Sequence, residues 1–279
     1  MAGTSPAMTK SMSPDVYFLL VLAVRMAVAA AFVIAASMIT ERSGPAIGAL
    51  VATLPISAGP SYVFLALDHD AAFIAEGALA SLPINGATIV MGLVFATLAQ
   101  RHGVHVNFPA AIAVWFAAAA LVTAVQWSLT AGILFNAGVM AACLPLAQRF
   151  RTAKMPLIAR RWYDIPLRAT LVATLVAVLV TLSGAVGPRI SGIIALFPVV
   201  FTSLMLILQP RIGGPATAAV IANGLWGLIG FGIAIVVLHL VARSGHVPLA
   251  LGLALATCVA WNLGLWFYGR RRAVRSLTP

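Results

Sequence analysis

The sequence predicts an all-α polytopic membrane protein in which nine transmembrane helices form an inverted repeat of four, one and four helices. Three observations predict this fold class. Of the 279 residues, 62% are hydrophobic and 8% are charged, whereas soluble domains have about 25% charged residues. Several apolar runs reach about 20 residues, which is enough to cross a hydrocarbon core of roughly 30 Å. Finally, landmark residues of the first half recur in the same order in the second half.

The predicted helices are apolar runs that end at polar residues or at glycine and proline signals. The second and seventh runs each start with a Gly-Pro pair, which suits the first turn of a helix. The fourth run starts at Pro109 and ends near Trp127, a residue type that anchors helices at the membrane interface. In chain order, the predicted helices cover residues 16–39, 44–67, 71–98, 108–125, 129–146, 165–182, 187–208, 215–241 and 247–268.

An internal duplication is predicted by residues that match between the two halves. Arg25 matches Arg168 at an offset of 143 residues, and the first Gly-Pro pair and Pro55 have matches at the same offset. After a shorter loop in the second half, further landmarks keep the same order. Because apolar helices match easily by chance, the prediction depends on this order. The matched pairs are Gly44-Pro45 with Gly187-Pro188, Pro55 with Pro198, Asn85-Gly86 with Asn223-Gly224, Pro109 with Pro248, and Trp127 with Trp266.

The single linker helix determines how the two units are oriented. A four-helix unit starts and ends on the same side of the membrane, and one additional helix places the second unit on the opposite side, as in many transporters. The predicted segments are a mobile N-terminal tail 1–15, a first four-helix repeat 16–127, a linker helix 128–147, a basic cytoplasmic loop 148–164, a second four-helix repeat 165–268 and a basic C-terminal tail 269–279.

The net charge of +11 is concentrated in the connections, chiefly in residues 149–161 and 270–275. Basic loops of membrane proteins lie on the cytoplasmic side. We therefore expect a bacterial inner-membrane protein with its N-terminus outside and its C-terminus inside, although Lys10 and Arg243 would then lie outside. The chain has no basic soluble domain, so we expect no nucleic-acid partner. The expected partners are the lipid bilayer, a small-molecule solute and further copies of the chain in a homo-oligomer.

Two arginines inside predicted helices are candidate binding residues. Arg25 lies within the first apolar run, and Arg168 lies near the start of the sixth. In an inverted pair they would approach a central cavity from opposite faces and attract an anion. The alternative is that Arg25 extends its head group to the outer interface and Arg168 is an ordinary inner-face residue.

Matched asparagines and prolines supply further candidate solute contacts. Asn85 and Asn223 need hydrogen-bond partners in hydrocarbon, and either a neighbouring helix or a bound solute would provide them. Pro55 and Pro198 each remove a helical hydrogen bond. Corresponding interruptions in the two halves point to a transport site, and a static kink is the alternative.

Three further polar side chains complete the candidate set. Ser57 and Thr202 follow the two prolines, although such hydroxyls more often bond their own helix. Glu76 in the third predicted helix is a candidate coupling residue, because a buried carboxylate can titrate near neutral pH; alternatively, it lies at the outer headgroup level. The five histidines and two cysteines form no metal-ligand or nucleophile pattern. We therefore expect no metal, no cofactor and no enzymatic activity.

The segments GIIALFPVVFTSLMLIL at 192–208 and VPLALGLALATCVAWNLGLW at 247–266 resemble the small four-helix bacterial inner-membrane proteins of the GlpM family. Proteins of that family have a similar Phe-Pro motif in the second helix and a proline-started, tryptophan-containing last helix. The resemblance implies that this chain consists of two such units fused through the linker helix. The first repeat departs from the pattern, because Leu54-Pro55 stands where the second has Phe197-Pro198.

These observations predict an integral membrane transporter or channel for a small polar or anionic solute, with its site at the interface of two inverted repeats. The alternative is a non-transporting membrane scaffold or assembly subunit. The two hypotheses differ in the interior of the protein. A scaffold has a dry interior in which Arg25, Asn85 and Asn223 are bonded to protein, whereas a transporter has a water-accessible cavity that reaches them.

Overall fold

The computed structural model describes residues 13–42, 55–153 and 161–275. Every regular element in these ranges is an α-helix. Most of the predicted N-terminal tail, the first half of the second predicted helix and part of the basic loop lie outside the described residues. The helices are α1 (Pro14–Arg42), α2 (Ala58–Asp68), α3 (Ala71–Leu98), α4 (Val104–Thr123), α5 (Leu129–Gln148), α6 (Asp164–Ala195), α7 (Val199–Ile212), α8 (Gly214–Gly224), α9 (Gly227–Arg243) and α10 (Val247–Arg275).

Among the described residues, seven helical stretches are long and apolar enough to cross a membrane, which is the pattern of a multi-pass membrane protein. The all-helical prediction is confirmed. The predicted count of nine is not confirmed, because the second predicted helix starts outside the described residues and the sixth is continuous with part of the seventh. The seven stretches are Asp15–Ala36, Ala71–Leu98, Val104–Thr123, Leu129–Gln148, Asp164–Ala195, Gly214–Arg243 and Val247–Gly269.

The sixth predicted helix passes into the seventh through a bend rather than a loop. The bend is at Gly187, whose φ of 75° lies in the left-handed region that glycine adopts without a Cβ clash. Pro188 follows and starts the second arm of α6, since a missing N–H is tolerated in the first turn of a helix. The Gly-Pro pair therefore marks the helix start, as the sequence predicts, but no loop precedes it.

The two matched prolines both lie outside helical segments. Pro198 has a ψ of 60° and separates α6 from α7. Pro55 precedes the turn that leads into α2 at Ala58. Proline cannot donate the hydrogen bond that would continue a helix through these positions, so α2 and α7 each start just after a proline.

The eighth predicted helix consists of two helices, α8 and α9. They are joined by a turn at Leu225 and Trp226, directly after the Asn223-Gly224 pair. Glycine is a poor helix former, which makes this position a natural place for the interruption. The last helix, α10, continues to Arg275, beyond its predicted end at residue 268.

The long helix α3 is the centre of the bundle. It packs against α4, α5, α6 and α9, and most of its residues are buried. A helix segment that is covered on all sides is apolar nearly all round, and the middle of α3, residues 77–96, fits this pattern. Small residues such as Gly77 let neighbouring helices approach its backbone closely.

The remaining helices pack around α3 in pairs. α1 packs against α6, and α9 packs against α10, while α4 contacts α7 and α10 contacts α2. Helices α1, α2, α6 and α7 share an apolar cluster, named here the α1–α6 cluster. Its buried members are Ala29, Val33, Phe64, Ala169, Val172, Leu175, Val176 and Val199.

Candidate functional site

An ion pair joins α1 to the end of α2. Both terminal nitrogens of Arg25 donate to the carboxylate of Asp68, with Nη2 2.6 Å from Oδ1. The two side chains are 16% and 29% exposed, respectively. The guanidinium carbon of Arg25 also lies 5.9 Å from the centroid of the Phe64 ring. Bidentate arginine–carboxylate pairs are among the strongest charged contacts, so Arg25 is held in place by protein groups.

His69 fixes the position of this ion pair relative to α6. It follows Asp68 in the chain, and its Nε2 lies 2.8 Å from the hydroxyl oxygen of Ser183. Its ring stacks on Phe73 with the ring centroids 3.7 Å apart. Ser183 lies one turn before the bend of α6, so the Arg25–Asp68 pair is at that end of the helix.

A second ion pair lies at the start of α6. Arg211, at the end of α7, donates to both carboxylate oxygens of Asp164 at 2.8 and 2.5 Å. The side chains of Arg211 and Asp164 are 10% and 12% exposed. Tyr163 borders this pair, with its ring centroid 4.9 Å from the guanidinium carbon of Arg211. The hydrogen bond with Arg211, and then that with Arg161, lowers the pKa of Tyr163, because the cations stabilise the phenolate.

The two ion pairs lie at opposite ends of the first arm of α6, residues 164–186, which precedes the bend. Ser183 follows Asp164 by 19 residues, which corresponds to about 28 Å at a helical rise of about 1.5 Å per residue. This distance is close to the roughly 30 Å thickness of a hydrocarbon core. The α1–α6 cluster lies between the two ends. The ion pairs therefore border an apolar layer about as thick as a bilayer core.

Arg168 lies far from Arg25, its predicted partner. It follows Asp164 by one turn on α6 and is partly buried. It therefore belongs to the end of α6 that carries the second ion pair, whereas Arg25 belongs to the other end. The structure does not bring these two arginines into one cavity, and side chains of the apolar cluster lie between them.

Asn85 lies deep in the bundle, with 1% of its surface exposed. Its Nδ2 donates to the carbonyl oxygen of Leu228 on α9 at 3.0 Å and to Oδ1 of Asn136 on α5 at 3.3 Å. Its own Oδ1 is buried and accepts no hydrogen bond from the residues that the structure describes. A buried acceptor without a partner costs free energy. Asn85 therefore presents an open acceptor at the centre of the bundle.

Asn223, the sequence match of Asn85, has different surroundings. It is exposed, and its Oδ1 accepts a hydrogen bond from Nε of Arg151 at 2.7 Å. Its Nδ2 donates to the carbonyl oxygen of Ala219 at 2.8 Å. Asn85 and Asn223 are thus not part of one site. Arg151 also lies 5.4 Å from the Trp226 ring, so it connects the basic loop to the turn between α8 and α9.

The residues next to the two prolines pack in the same part of the bundle. Ile56 follows Pro55, and Phe197 precedes Pro198. Both side chains pack against the α1–α6 cluster. The two interruptions therefore border the apolar layer between the ion pairs.

The other predicted polar residues make local contacts or are exposed. The hydroxyl of Thr202 donates to the carbonyl oxygen of Val199 at 3.0 Å. The carbonyl oxygen of buried Ser57 accepts a hydrogen bond from Ser61 at 2.9 Å. Glu76 is exposed on α3. Within the described ranges, no group of three or more histidine, cysteine, aspartate or glutamate side chains is placed to hold a metal.

Arg189 is a candidate that the sequence reasoning missed. It lies two residues after the bend of α6, and its Nη2 is buried without a hydrogen-bond partner among the described residues. The N-terminus of the arm 188–195 adds a favourable field for negative charge. The available signal was an arginine inside an apolar run, which in a membrane protein is a functional candidate. Arg189 is therefore the described cation best placed to attract an anion.

Comparison with known protein families, with curated proteins and with solved structures finds no match for this chain. The fold therefore defines a class, the multi-pass helical membrane proteins, and the functional inference depends on the residues of the chain itself.

Proposed function

We propose that this chain is an integral membrane transporter for a small polar or anionic solute, built from two inverted four-helix units with the solute path at their interface. The two ion pairs carry this proposal. Each joins the first helix of a proposed unit to the end of its second helix. Arg25 pairs with Asp68 in the first unit, and Asp164 pairs with Arg211 in the second.

The ion pairs also occupy matching positions in the sequence. At the offset that relates Arg25 to Arg168, Asp68 corresponds to Arg211. Asp164 lies one turn before Arg168. Each ion pair thus joins the first and second helices of its unit. The first helix supplies the basic partner in the first unit and the acidic partner in the second. Two fused units of opposite orientation would produce such a contact at each end of the bundle.

The packing of the helices supports the same symmetry. The first helices of the proposed units, α1 and α6, pack against each other, and the third helices, α3 and α8–α9, do so as well. The last helix of each unit contacts the second helix of the other, since α4 contacts α7 and α10 contacts α2. Reciprocal contacts of this kind are expected for repeats related by a two-fold axis in the membrane plane.

In the proposed mechanism, the two ion pairs open alternately. When both ion pairs are formed, they close the two ends of the apolar layer that lies between them. Separation of Arg25 from Asp68 would open one end, and separation of Asp164 from Arg211 would open the other. Residues 55–57 before α2 are not helical, so α2 can move without breaking the hydrogen bonds of a continuous helix. The break at Pro198 gives α7 the same freedom.

The charge of the candidate residues favours an anion as the solute. Arg189 has a buried guanidinium nitrogen without a partner among the described residues, and a bound anion would satisfy it. Asn85 offers an open acceptor for a hydroxyl or amine of the same solute. Glu76 stays the candidate for ion coupling. The proposal includes no cofactor and no enzymatic activity.

The proposed orientation follows the distribution of charge. We propose a bacterial inner-membrane location with the N-terminus outside and the C-terminus in the cytoplasm. The Asp164–Arg211 pair then lies on the cytoplasmic side, next to the basic loop, in agreement with the positive-inside rule. The Arg25–Asp68 pair lies on the outer side. The GlpM-like origin of the two units and a homo-oligomer stay predictions.

Uptake into proteoliposomes tests the function. The purified protein is screened with labelled phosphate, sulfate and small carboxylates, and protein-free liposomes give the baseline. For the anion that is taken up, Arg189→Ala is expected to abolish uptake. Arg243→Ala is the matched control, because Arg243 is exposed at the end of α9. Absence of uptake for every solute, or full uptake by Arg189→Ala, would contradict the proposal.

Cysteine accessibility tests the role of the ion pairs. In a variant without Cys143 and Cys258, Ala29→Cys places a thiol in the apolar layer. Asp68→Asn is expected to increase modification of this thiol by a membrane-impermeant reagent added outside. Exchange of the charges, with Arg25→Asp and Asp68→Arg together, is expected to restore protection. Equal protection with and without Asp68→Asn would show that this ion pair closes no path.

One observation favours the alternative function, a non-transporting scaffold or assembly subunit. Arg25, Asn85 and Asn223 all bond to protein groups in the structure. A scaffold with a permanently dry interior predicts that a thiol at position 29 stays protected in every charge variant. It also predicts no uptake of any solute, so the same two experiments distinguish the functions.

A further inference from the structure

An apolar cleft lies on the side of the bundle between α1, α2, α9 and α10. Its volume is about 390 Å³, which falls within the range of about 300–1,000 Å³ for small-ligand sites. Its lining is hydrophobic on all four helices and includes Phe32, Phe64, Phe231 and Leu251. A cleft of this composition offers a ligand dispersion contacts and almost no hydrogen bonds.

The cleft opens onto the outer surface of the bundle. Val28, Phe32, Val63 and Leu255 line it, and each is also exposed. The parts of α1, α9 and α10 that line the cleft lie within stretches long and apolar enough to span a membrane. At this depth the surrounding medium is hydrocarbon rather than water. The opening therefore faces lipid chains.

Two glycines leave space in the cleft. A Cβ atom at Gly59 of α2 or at Gly252 of α10 would meet no heavy atom of the described residues within 4 Å. Both glycines line the cleft. The protein therefore leaves open space next to their Cα atoms, and a leucine side chain at either position would reduce the volume open to a bound chain.

The guanidinium of Arg25, which is paired with Asp68, lies at one end of the cleft. Asp68 accepts one N–H from each terminal nitrogen of Arg25, so further N–H groups of the guanidinium are left for an anion. Phe64 lines the cleft, and its ring centroid is 5.9 Å from the guanidinium carbon of Arg25. On α1, Arg25 precedes the cleft residue Val28 by one turn. Guanidinium groups recognise phosphate well. An amphiphile with its chain in the cleft would therefore have its phosphate on the side of Arg25.

We propose that the cleft binds one acyl chain of a bilayer phospholipid, with the phosphate directed toward Arg25. The hydrophobic lining, the opening toward lipid and the remaining N–H groups of the paired Arg25 guanidinium all match this occupant. The inference does not depend on transport, since a scaffold would hold such a lipid equally well.

Photo-cross-linking tests the proposal. The full chain is reconstituted in vesicles of phosphatidylethanolamine and phosphatidylglycerol with a trace of phosphatidylglycerol that carries a diazirine in one acyl chain. After illumination, mass spectrometry locates the cross-linked peptides. Selective labelling is expected in residues 231–238 and 251–258, in excess of that at Leu134, which is 67% exposed on α5 outside the cleft.

Three variants locate the binding volume. Gly252→Leu fills the cleft from α10, and Gly59→Leu fills it from α2. Gly264→Leu is the matched control, because Gly264 is also on α10 with no heavy atom within 4 Å of its Cβ position and does not line the cleft. We expect loss of selective labelling in the first two variants and retention in the control. The proposal would be overturned if all lipid-facing helices were labelled equally. It would also be overturned if Gly252→Leu and Gly59→Leu both kept the selective labelling of the cleft.

Discussion

The backbone of Gly192 on α6 lies directly against the carbonyl oxygen of Gly77 on α3, so that a Cβ atom at Gly192 would collide with this oxygen. Glycine permits helices in membranes to approach this closely. The first prediction concerns Gly192→Ala. It should lower the free energy of unfolding by about 1–3 kcal/mol, the cost of overpacking a well-packed contact, or prevent folding altogether.

The control for this prediction is on the same helix. A Cβ atom at Gly184 would meet no atom of the described part of the chain within 4 Å, so Gly184→Ala should be neutral or stabilise the helix by up to about 1 kcal/mol. Thermal unfolding in detergent, followed by tryptophan fluorescence, measures both variants. Equal stability of Gly192→Ala and Gly184→Ala would contradict the close contact between α3 and α6.

A buried hydrogen-bond chain joins α2, α3 and α6 at the same crossing. The hydroxyl of Ser81 donates to the carbonyl oxygen of Gly192 at 2.8 Å, and the hydroxyl of Tyr62 lies 2.6 Å from that of Ser81. Tyr62 must then be the donor to Ser81. The second prediction is that Ser81→Ala costs about 1–2 kcal/mol, because it leaves two buried polar groups without a partner.

Tyr62→Phe should cost less than Ser81→Ala, since the bond from Ser81 to Gly192 persists. Thr257→Ala on α10 is the control, because the exposed hydroxyl of Thr257 bonds only to its own helix. Reversible unfolding in mixed micelles measures the three costs. A cost for Ser81→Ala no larger than that for Thr257→Ala would mean that the buried chain contributes nothing.

The two ion pairs should differ in their contribution to stability. Asp164 and Arg211 are less exposed than Arg25 and Asp68. The third prediction is that Asp164→Asn costs about 1–3 kcal/mol, as for charged hydrogen bonds, and that Asp68→Asn costs about 1 kcal/mol or less after solvent screening. Denaturant unfolding at low and high salt measures both, and high salt should weaken mainly the Asp68 contribution.

The charge-exchanged variant checks the same prediction. Asp164→Arg combined with Arg211→Asp keeps the attraction and should recover most of the lost stability, whereas either single change leaves two like charges together. A greater loss in Asp68→Asn than in Asp164→Asn would contradict the order that we expect from exposure.

The helical fold and the interruption at Pro198 were predictable, because their physics is local. The length and hydrophobicity of a run determine whether it can span a membrane, and Pro198 lacks the N–H that would continue a helix. The bend at Gly187 was less predictable. A Gly-Pro pair indicates where a helix starts, but it does not indicate whether a loop precedes it.

The candidate site was less predictable than the fold, because side-chain partners depend on how the helices pack. Arg25 was predicted inside a helix, yet its partner Asp68 lies 43 residues away in sequence. Asn85 and Asn223 match in sequence but differ in burial, since Asn85 lies in the covered middle of α3 and Asn223 lies at the end of α8. Periodicity alone contains no information on which helix becomes central.

The side-chain amide of Asn85 has hydrogen-bond partners for its nitrogen but not for its oxygen among the described residues. A substitution at this position can therefore affect solute uptake without lowering the free energy of unfolding. Its Oδ1 is buried without a partner in the described part of the chain, and its hydrogen bond to Asn136 is long, at 3.3 Å. A polar group of this kind stabilises a core poorly. The fourth prediction is that Asn85→Leu, whose side chain has the same number of heavy atoms and the same branching at Cγ, leaves the free energy of unfolding unchanged or raises it, and abolishes uptake of the solute.

A fully bonded residue on the same helix is the comparison for this prediction. Thr88 accepts a hydrogen bond from Trp115 at 3.2 Å and donates to the carbonyl oxygen of Ile84 at 3.2 Å. Thr88→Val should therefore destabilise the protein by about 1 kcal/mol, because it leaves the indole N–H of Trp115 without an acceptor. Unfolding and uptake are measured on both variants. If Asn85→Leu destabilises the protein as much as Thr88→Val and transports normally, Asn85 is a packing residue and its open acceptor does not bind the solute.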